Sequence, residues 1–299
     1  MQTKRIKRAV NGVLLLDKPF GFSSNQALQK VKWLYQAQKA GHTGTLDPLA
    51  TGVLPICLGE ATKFAQYLTD ENKTYVATVK FGVSTTTGDK EGEVVSQVDC
   101  HITRADIEAV LPQFMGLITQ VPPMYSALKV NGKPLYEYAR DGVELVRAPR
   151  QVTIHALRVL SCVDNSAEIE VCCSKGTYIR TLGEDIGNVL QAGGHLTALR
   201  RTATATYQLA HTVTIEALEQ MTAEQRDALL LPVDTAITVL PKILLQEDAA
   251  YYFKQGNPVW VSGTIPAGEL RIYSEAGLFL GLGVQQRDGR IAPKRVVNL

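Results

Sequence analysis

No stretch of this chain approaches the ~20 consecutive apolar residues that cross a bilayer as a helix, so no membrane span is expected. Cysteine is scarce. Cys57, Cys100, Cys162, Cys172 and Cys173 make an odd set of five with no repeated Cys-x-x-Cys spacing. That argues against a disulfide framework and against a zinc site; no metal or other cofactor is expected, and a reducing cytoplasm is the simplest compartment. Cys172 and Cys173 are adjacent in the strand-like run Ile169–Cys173, so their side chains should point to opposite faces as small apolar fillers. Long internal repeats and low-complexity tracts are also missing. Lys4, Arg5, Lys7 and Arg8 precede the apolar residues Val13–Leu16, but Asp17 and Lys18 end that run. It falls short of the about 7–15 residues of a signal-peptide core, and a soluble, unexported protein is expected.

Charge of one sign is lacking overall: the net value is +2, which favours no particular partner. Its distribution is less even. Residues 1–52 carry eight cations (Lys4, Arg5, Lys7, Arg8, Lys18, Lys30, Lys32, Lys39) against Asp17 and Asp47, a local balance of +6. Local excess is what attracts phosphate, because screening removes charges beyond roughly 10 Å. What is present otherwise suits a globular protein: 299 residues, 45% hydrophobic and 20% charged, enough for one large domain plus a small one without disulfides.

The apolar pattern predicts a strand over Asn11–Asp17, a turn over Lys18–Phe22, and a helix capped by Ser23 or Ser24 with Ala27, Leu28, Val31 and Leu34 on one face. A short helix is expected over Gly59–Leu68 and an alternating strand over Tyr75–Phe81. Thr103 and Asp106 have capping-box spacing ahead of a helix reaching Leu111. Val152–Val163 and Ala167–Cys173 read as a hairpin, Tyr178–Leu190 as an amphipathic helix, and His195–Tyr207 as another strand. Residues 122–149 hold an Asn131-Gly132 turn and a helical turn at Leu135–Arg140, in a composition that suggests a protruding element. Helical runs at Ile215–Met221 and Ala223–Leu231 then give way to short strands at Pro258–Val261, Leu270–Tyr273, Leu278–Val284 and Val296–Leu299. The expected division is 1–244 and 245–299, the second unit β-rich and docked on the first because about 55 residues are marginal alone.

The densest signal is residues 41–59, GHTGTLDPLATGVLPICLG. Asp47 stands between glycines and directly before Pro48, so its loop is conformationally restricted, and the apolar run Val53–Leu58 follows as a buried strand. A generic Asp-Pro pair is a turn. A carboxylate on a rigid loop over a scaffold is equally how a catalytic acid is presented.

This nineteen-residue string resembles the signature loop of the TruB family of pseudouridine synthases, in which the Asp is the essential catalytic residue. Four further segments resemble motifs of that family: Leu16–Ser24, Lys73–Ala77, Ser174–Leu182 and His195–Thr202, and the string SALKVNGKPLYEYAR matches its thumb-like insertion. The resemblance implies an α+β fold, with a mixed or antiparallel sheet in the catalytic domain, a thumb at about 122–149, and a small β-rich C-terminal PUA-like domain. It implies Asp47 as the catalytic carboxylate, with Arg180 pairing with it through two hydrogen bonds and Lys18 and Pro19 buttressing the loop. His42, Tyr75, Tyr178 and Leu199 would line the uracil site, Tyr75 by stacking on the base and assisting proton removal at C5. Arg200 and Arg201 would reach phosphates. From the residues alone, Tyr75 and Leu199 read equally as core, His42 as a loop histidine, and Arg180 as an unremarkable residue of a first helical turn.

The activity implied is isomerisation of uridine to pseudouridine at position 55 in the T-loop of tRNA, by a monomer without metal or cofactor, with a tRNA-folding role beside it. Asp47 could attack C1′, add to C6, or remove the C2′ proton. The competing classes are a tRNA-binding protein that remodels the elbow without using Asp47, and a synthase directed at another uridine.

Overall fold

The structure is a computed structural model and describes residues 7–299; Lys4 and Arg5 lie outside the described residues. Among the described residues two sheets dominate, one of nine strands and one of four. The large sheet runs in spatial order Gly12–Lys18, Thr51–Leu58, Gly194–Thr204, Lys73–Phe81, Ser166–Cys173, Arg150–Val163 and Gly116–Gln120, with Ala40–His42 and Tyr207–Gln208 paired at its side. Every pairing is antiparallel except that of Thr51–Leu58 with Gly194–Thr204, which is parallel through Thr51 with Arg200 and Gly52 with Arg201. The sheet is therefore mixed, on an α+β plan.

The near-continuous apolar strand at 51–58 has a physical cause: it is covered on both faces. Leu54, Ile56 and Leu58 join one core, with Leu14, Leu16, Val31 and the Ile179–Val189 helix. Val53 and Cys57 join a second core on the opposite face, with Val13, Leu15, Phe64 and Tyr207. Successive residues of one strand thus feed different cores.

Local signals mostly act where they stand. Ser23 caps the helix Ser24–Leu34 in a capping box with Gln26, and Thr103 does the same with Asp106 for Arg104–Val110. Asp164 and Asn165, both in the left-handed region, close the hairpin between Arg150–Val163 and Ser166–Cys173. Asn131 and Gly132 close a small hairpin, Lys129–Val130 with Lys133–Pro134, ahead of the helix Leu135–Arg140. Cys173 is buried and Cys172 only partly so, and the five cysteines are free thiols.

Three expectations shift. Gly59–Leu68 is a 3₁₀ turn over Gly59–Phe64 followed by a helix Ala65–Asp70. The helix expected over Ala223–Leu231 is the short Ala223–Asp227, because the chain turns at Leu231 to bridge Val13 in the large sheet. The last strand is Ile291–Val296 rather than Val296–Leu299, because it pairs antiparallel with Phe279–Gln285, from Gly281 opposite Val296 to Gln285 opposite Ile291.

The C-terminal β-rich domain pairs Lys242–Leu245, Glu269–Ser274, Phe279–Gln285 and Ile291–Val296, with a helix Glu247–Lys254 laid across it. Val259 joins it only as an isolated bridge to Ile291. It docks through Phe279, Tyr273 and Leu282, which belong to the second core; Phe279 meets Phe64 with ring centroids 5.6 Å apart. Lys63 Nζ donates to Val296 O (2.7 Å), and Glu60 accepts from the amide of Asn298 (2.8 Å).

Candidate active site

Asp47 sits on the loop between Ala40–His42 and Thr51–Leu58, and that loop is fastened from several sides. Leu46, Leu49 and Ala50 are buried beneath it. Ser24 Oγ donates to Leu46 O (3.0 Å) and accepts from Leu46 N (2.7 Å), so one hydroxyl satisfies both backbone groups next to Asp47. Gly21 N donates to Pro48 O (2.9 Å), which ties the Lys18–Phe22 turn to the loop. Arg201 supplies the deepest brace. Its Nε donates to Val53 O (2.7 Å) and its Nη2 to Gly44 O (3.0 Å), with the side chain wholly inside. Two glycines make this possible. A Cβ on Gly44 would lie 3.2 Å from Arg201 Nη1, and one on Gly52 would lie 2.1 Å from Arg201 O; both have positive φ, +79° and +102°.

Arg180 faces Asp47 from the first turn of the helix Ile179–Val189, with Nε 2.9 Å from Asp47 Oδ2. The guanidinium side chain is only 5% exposed, while the carboxyl in front of it retains 37%. The rest of the fork is spent elsewhere: Nη1 donates to Thr87 O (2.8 Å) and Nη2 to Tyr125 O (2.7 Å), and Nη1 lies 3.7 Å from Asp89 Oδ2. The expected paired contact with Asp47 is thus a single one, because two other segments, the Thr87–Asp89 turn and Tyr125, hold the remaining donors. Asp89 is itself buried and held by Thr87 Oγ1 (2.6 Å) and the amide of Glu91 (3.0 Å).

The Asp47 carboxyl is open on one side and crowded by protein on the others. Burial pushes its pKa up, and Asp89 adds to this; Arg180 and Lys18 pull the other way without cancelling it. Lys18 is fully buried, with Nζ donating to Pro19 O (2.9 Å) and to Phe22 O. Burial brings its ammonium down to about 8 against the pull of Asp47.

Tyr75, Leu199 and Arg201 share one face of adjoining strands, Tyr75 opposite Arg201 and Leu199 opposite Ala77. Tyr75 and Leu199 are both buried, and the Arg201 charge opposes the upward push of burial on the Tyr75 phenol. Burial raises the Tyr75 and Tyr178 phenols, so both rings are neutral. Tyr178 is the N-cap residue of the helix that carries Arg180. His42 is half-buried; burial first, then Arg201, lowers its pKa, and its buried Nδ1 has no hydrogen-bond partner among the described residues.

Several sequence expectations change here. Arg201 cannot reach phosphate, since its guanidinium is enclosed behind the Asp47 loop. Arg200, on the other face, pairs with Asp17 (2.6 Å) and Thr51 (3.1 Å) and stays partly exposed. The N-terminal basic excess is also partly spent: Arg8 pairs with Asp227 and Lys30 with Glu219. Sequence reading missed Ser24, Asp89, Gln120 and Arg201 as neighbours that hold the site. Ser24 stood in the sequence only as a possible cap, and the strand alternation that turns Arg201 inward and Arg200 outward has no mark in two identical residues.

A cavity of about 490 Å³ lies beside Arg180, lined by Thr87, Met124, Tyr125, Val143, Arg147 and Glu184 among others. Burial lifts Glu184 to about 7 there. Among the described residues no cluster of His, Cys, Asp and Glu is placed to hold a metal, and no helix is long and apolar enough to cross a membrane.

Comparison with known proteins supplies an independent line. Residues 32–179 match the N-terminal domain of TruB family pseudouridylate synthase, residues 180–238 the tRNA pseudouridylate synthase B C-terminal domain, and residues 241–297 the C-terminal domain of pseudouridine synthase II TruB. A protein of Methylobacillus flagellatus named tRNA pseudouridine synthase B is 58% identical over 100% of this chain and 99% of its own. Its namesakes from Stutzerimonas stutzeri and Pseudomonas aeruginosa are 52% and 51% identical over 99% of both chains. Among solved structures, a chain of a Cbf5-Nop10-Gar1 complex superposes with a TM-score of 0.72 at 25% identity, covering 96% of this chain and 84% of that one. A chain of an H/ACA RNP bound to a substrate RNA containing 2′-deoxyuridine shares the fold at TM-score 0.72 and 22% identity, covering 96% and 85%. Identity of this extent over the full length, on a fold that sets one carboxyl before a buried guanidinium, has one reading: the chain belongs to the TruB family of pseudouridine synthases.

Proposed function

We propose that this protein converts uridine to pseudouridine in tRNA, at position 55 of the T-loop, with Asp47 as the essential carboxylate. The observation that carries the reading is the partly exposed Asp47 carboxyl held against the buried Arg180, in a chain more than half identical to proteins named tRNA pseudouridine synthase B. The reaction breaks N1–C1′, turns the uracil, and forms C5–C1′; a proton leaves C5 and one is gained at N1. Three first steps employ a carboxylate: attack at C1′, addition at C6, or removal of the C2′ proton. All need Asp47 ionised, which Arg180 and Lys18 promote, while its raised pKa makes it a stronger base once ionised.

The target nucleotide must leave its stack to reach Asp47. Tyr75, Tyr178, Leu199 and His42 are the proposed lining. A neutral, buried Tyr75 suits stacking better than proton removal, because its raised phenol is a poor base. Lys18 and Arg180 support the carboxylate. The segment 122–149 acts as the thumb that closes on RNA. The C-terminal domain, 245–299 beside the body 1–244, is a PUA-like RNA-binding unit, with the strand Lys242–Leu245 leading into it. The protein works as a cytoplasmic monomer, without metal or cofactor, and also helps tRNA fold.

Asp47→Asn is the direct test: pseudouridine formation on a T-arm transcript should vanish while binding of that RNA persists. Appreciable turnover in the variant rejects the assignment. Pseudouridine mapping in RNA from cells lacking the protein identifies the position: loss at 55 supports the reading, and loss elsewhere with 55 intact replaces it.

A further inference from the structure

Between the large sheet and the thumb segment, one buried amide has no part in the reaction as described above. Gln120 is the last residue of the strand Gly116–Gln120, the outermost of the large sheet, and the chain leaves it directly into residues 122–149. Its side chain is buried, at 1% exposure. Its Nε2 donates to Tyr178 O (3.2 Å) and its Oε1 accepts from Tyr178 N (3.0 Å). One amide thus bonds both backbone groups of Tyr178: it satisfies the N–H and is a second donor to the O, which also accepts from Leu182 N (3.1 Å). The helix that starts there has no side-chain cap of its own, since Tyr178 cannot supply one. Two residues on, Arg180 returns the connection by donating to Tyr125 O, in the first residues of the thumb segment.

We propose that Gln120 is a positioning residue for the reaction: its amide fixes the Tyr178–Arg180 turn to the root of the thumb segment and so sets where the Arg180 guanidinium meets Asp47. Three observations support this. Both ends of the Gln120 amide meet the main chain of Tyr178, so the contact fixes a backbone position rather than the orientation of the Tyr178 side chain. A buried amide is costly to desolvate unless both of its ends are satisfied, and Tyr178 satisfies both. Finally, Arg180 makes only one contact with Asp47, so its aim depends on the turn that carries it and on Thr87 and Tyr125. When RNA engages the thumb segment, any shift at its root reaches Arg180 by two routes, through Gln120 and through Tyr125.

The inference rests on the assignment of Asp47 and Arg180 to the reaction, and Asp47→Asn tests that assignment separately. Its own test is a double-mutant cycle read by single-turnover pseudouridine formation, RNA affinity and Tm. Gln120→Leu keeps the approximate shape and removes both hydrogen bonds; the rate should fall by about tenfold or more, with RNA affinity changed by less than about threefold. In an Arg180→Lys background the same substitution should cost less than about threefold, because the group through which it acts is already displaced. A wild-type rate for Gln120→Leu, an equal loss in both backgrounds, or a loss of binding matching the loss of rate overturns the proposal. If Gln120→Leu yields too little folded protein, Gln120→Glu enters the same cycle. It keeps an acceptor for Tyr178 N–H and sets a carboxylate against Tyr178 O, and the same outcomes decide.

Discussion

The Asp47 loop and the thumb segment are both irregular stretches rich in glycine, proline and polar residues, yet they meet the rest of the protein in opposite ways. Residues 43–50 bury Thr43, Leu46, Leu49 and Ala50, and their backbone is bonded by Ser24, Gly21 and Arg201. Residues 122–149 leave Val130, Val143 and Val146 exposed, and much of their bonding is internal, as in Lys133 with Asp141 and with the Tyr138 ring. Composition alone therefore does not decide how a loop is held. What decides it is whether neighbouring elements satisfy the loop's backbone groups. On the function proposed above, the first arrangement suits a carboxylate that meets one atom of the nucleotide, and the second suits a segment that closes on RNA.

The comparison can be broken at its chemistry first. Asp47→Asn should lower the single-turnover rate by about a thousandfold or more, within the span of a lost catalytic carboxylate, and leave Tm nearly unchanged. Next comes the brace. Gly52→Ala drives a methyl into Arg201 O at a positive φ and should cost about 3 kcal/mol or more in urea unfolding, with activity lost even where the protein stays folded. Ser24→Ala strands both backbone groups of Leu46, for about 1–3 kcal/mol of stability, and should lower the rate more than RNA affinity.

A smaller effect separates the two regions by pH. Glu184, in the cavity between Arg180 and the thumb, has a folded pKa raised to about 7 from 4.5. The folded state therefore holds the proton more tightly than the unfolded one. The resulting contribution to stability is fully present below 4.5, falls as pH rises, and is lost above about 7. Glu184→Gln should abolish that slope, giving a Tm above that of the native protein at pH about 8, where the native carboxylate is charged and half-buried. Equal pH dependence of the two proteins would dismiss the burial argument. The smallest effect belongs to the thumb. Lys133→Ala should leave Tm unchanged, since the lysine is at the surface, yet weaken RNA binding and reduce its salt dependence by about one phosphate contact.

Much of the fold was legible because its signals are local. Ser23 with Gln26 and Thr103 with Asp106 cap the helices they precede, and Asp164-Asn165 turns the hairpin it interrupts. The C-terminal domain was harder. Lys242–Leu245 and Glu247–Lys254 are too short to carry a clear period, and the strand is held by parallel pairing with Glu269–Ser274, far along the chain. The same limit applied at the site. Asp47, Arg180 and Tyr178 stood out by motif, whereas Asp89 and Gln120 sit in stretches whose own pattern gives no sign that they approach Arg180 or Tyr178.

By itself the sequence determined the loop that presents Asp47, the strands and caps around it, and the family to which these belong, because each depends on residues close together in the chain. Only the tertiary structure decided what surrounds the carboxylate. Arg201 faces inward and Arg200 outward, Arg180 divides its donors among Asp47, Thr87 and Tyr125, and Gln120 closes on Tyr178. These are contacts between strands and turns distant in sequence, and their geometry follows from sheet register and burial, which exist only once the chain has folded.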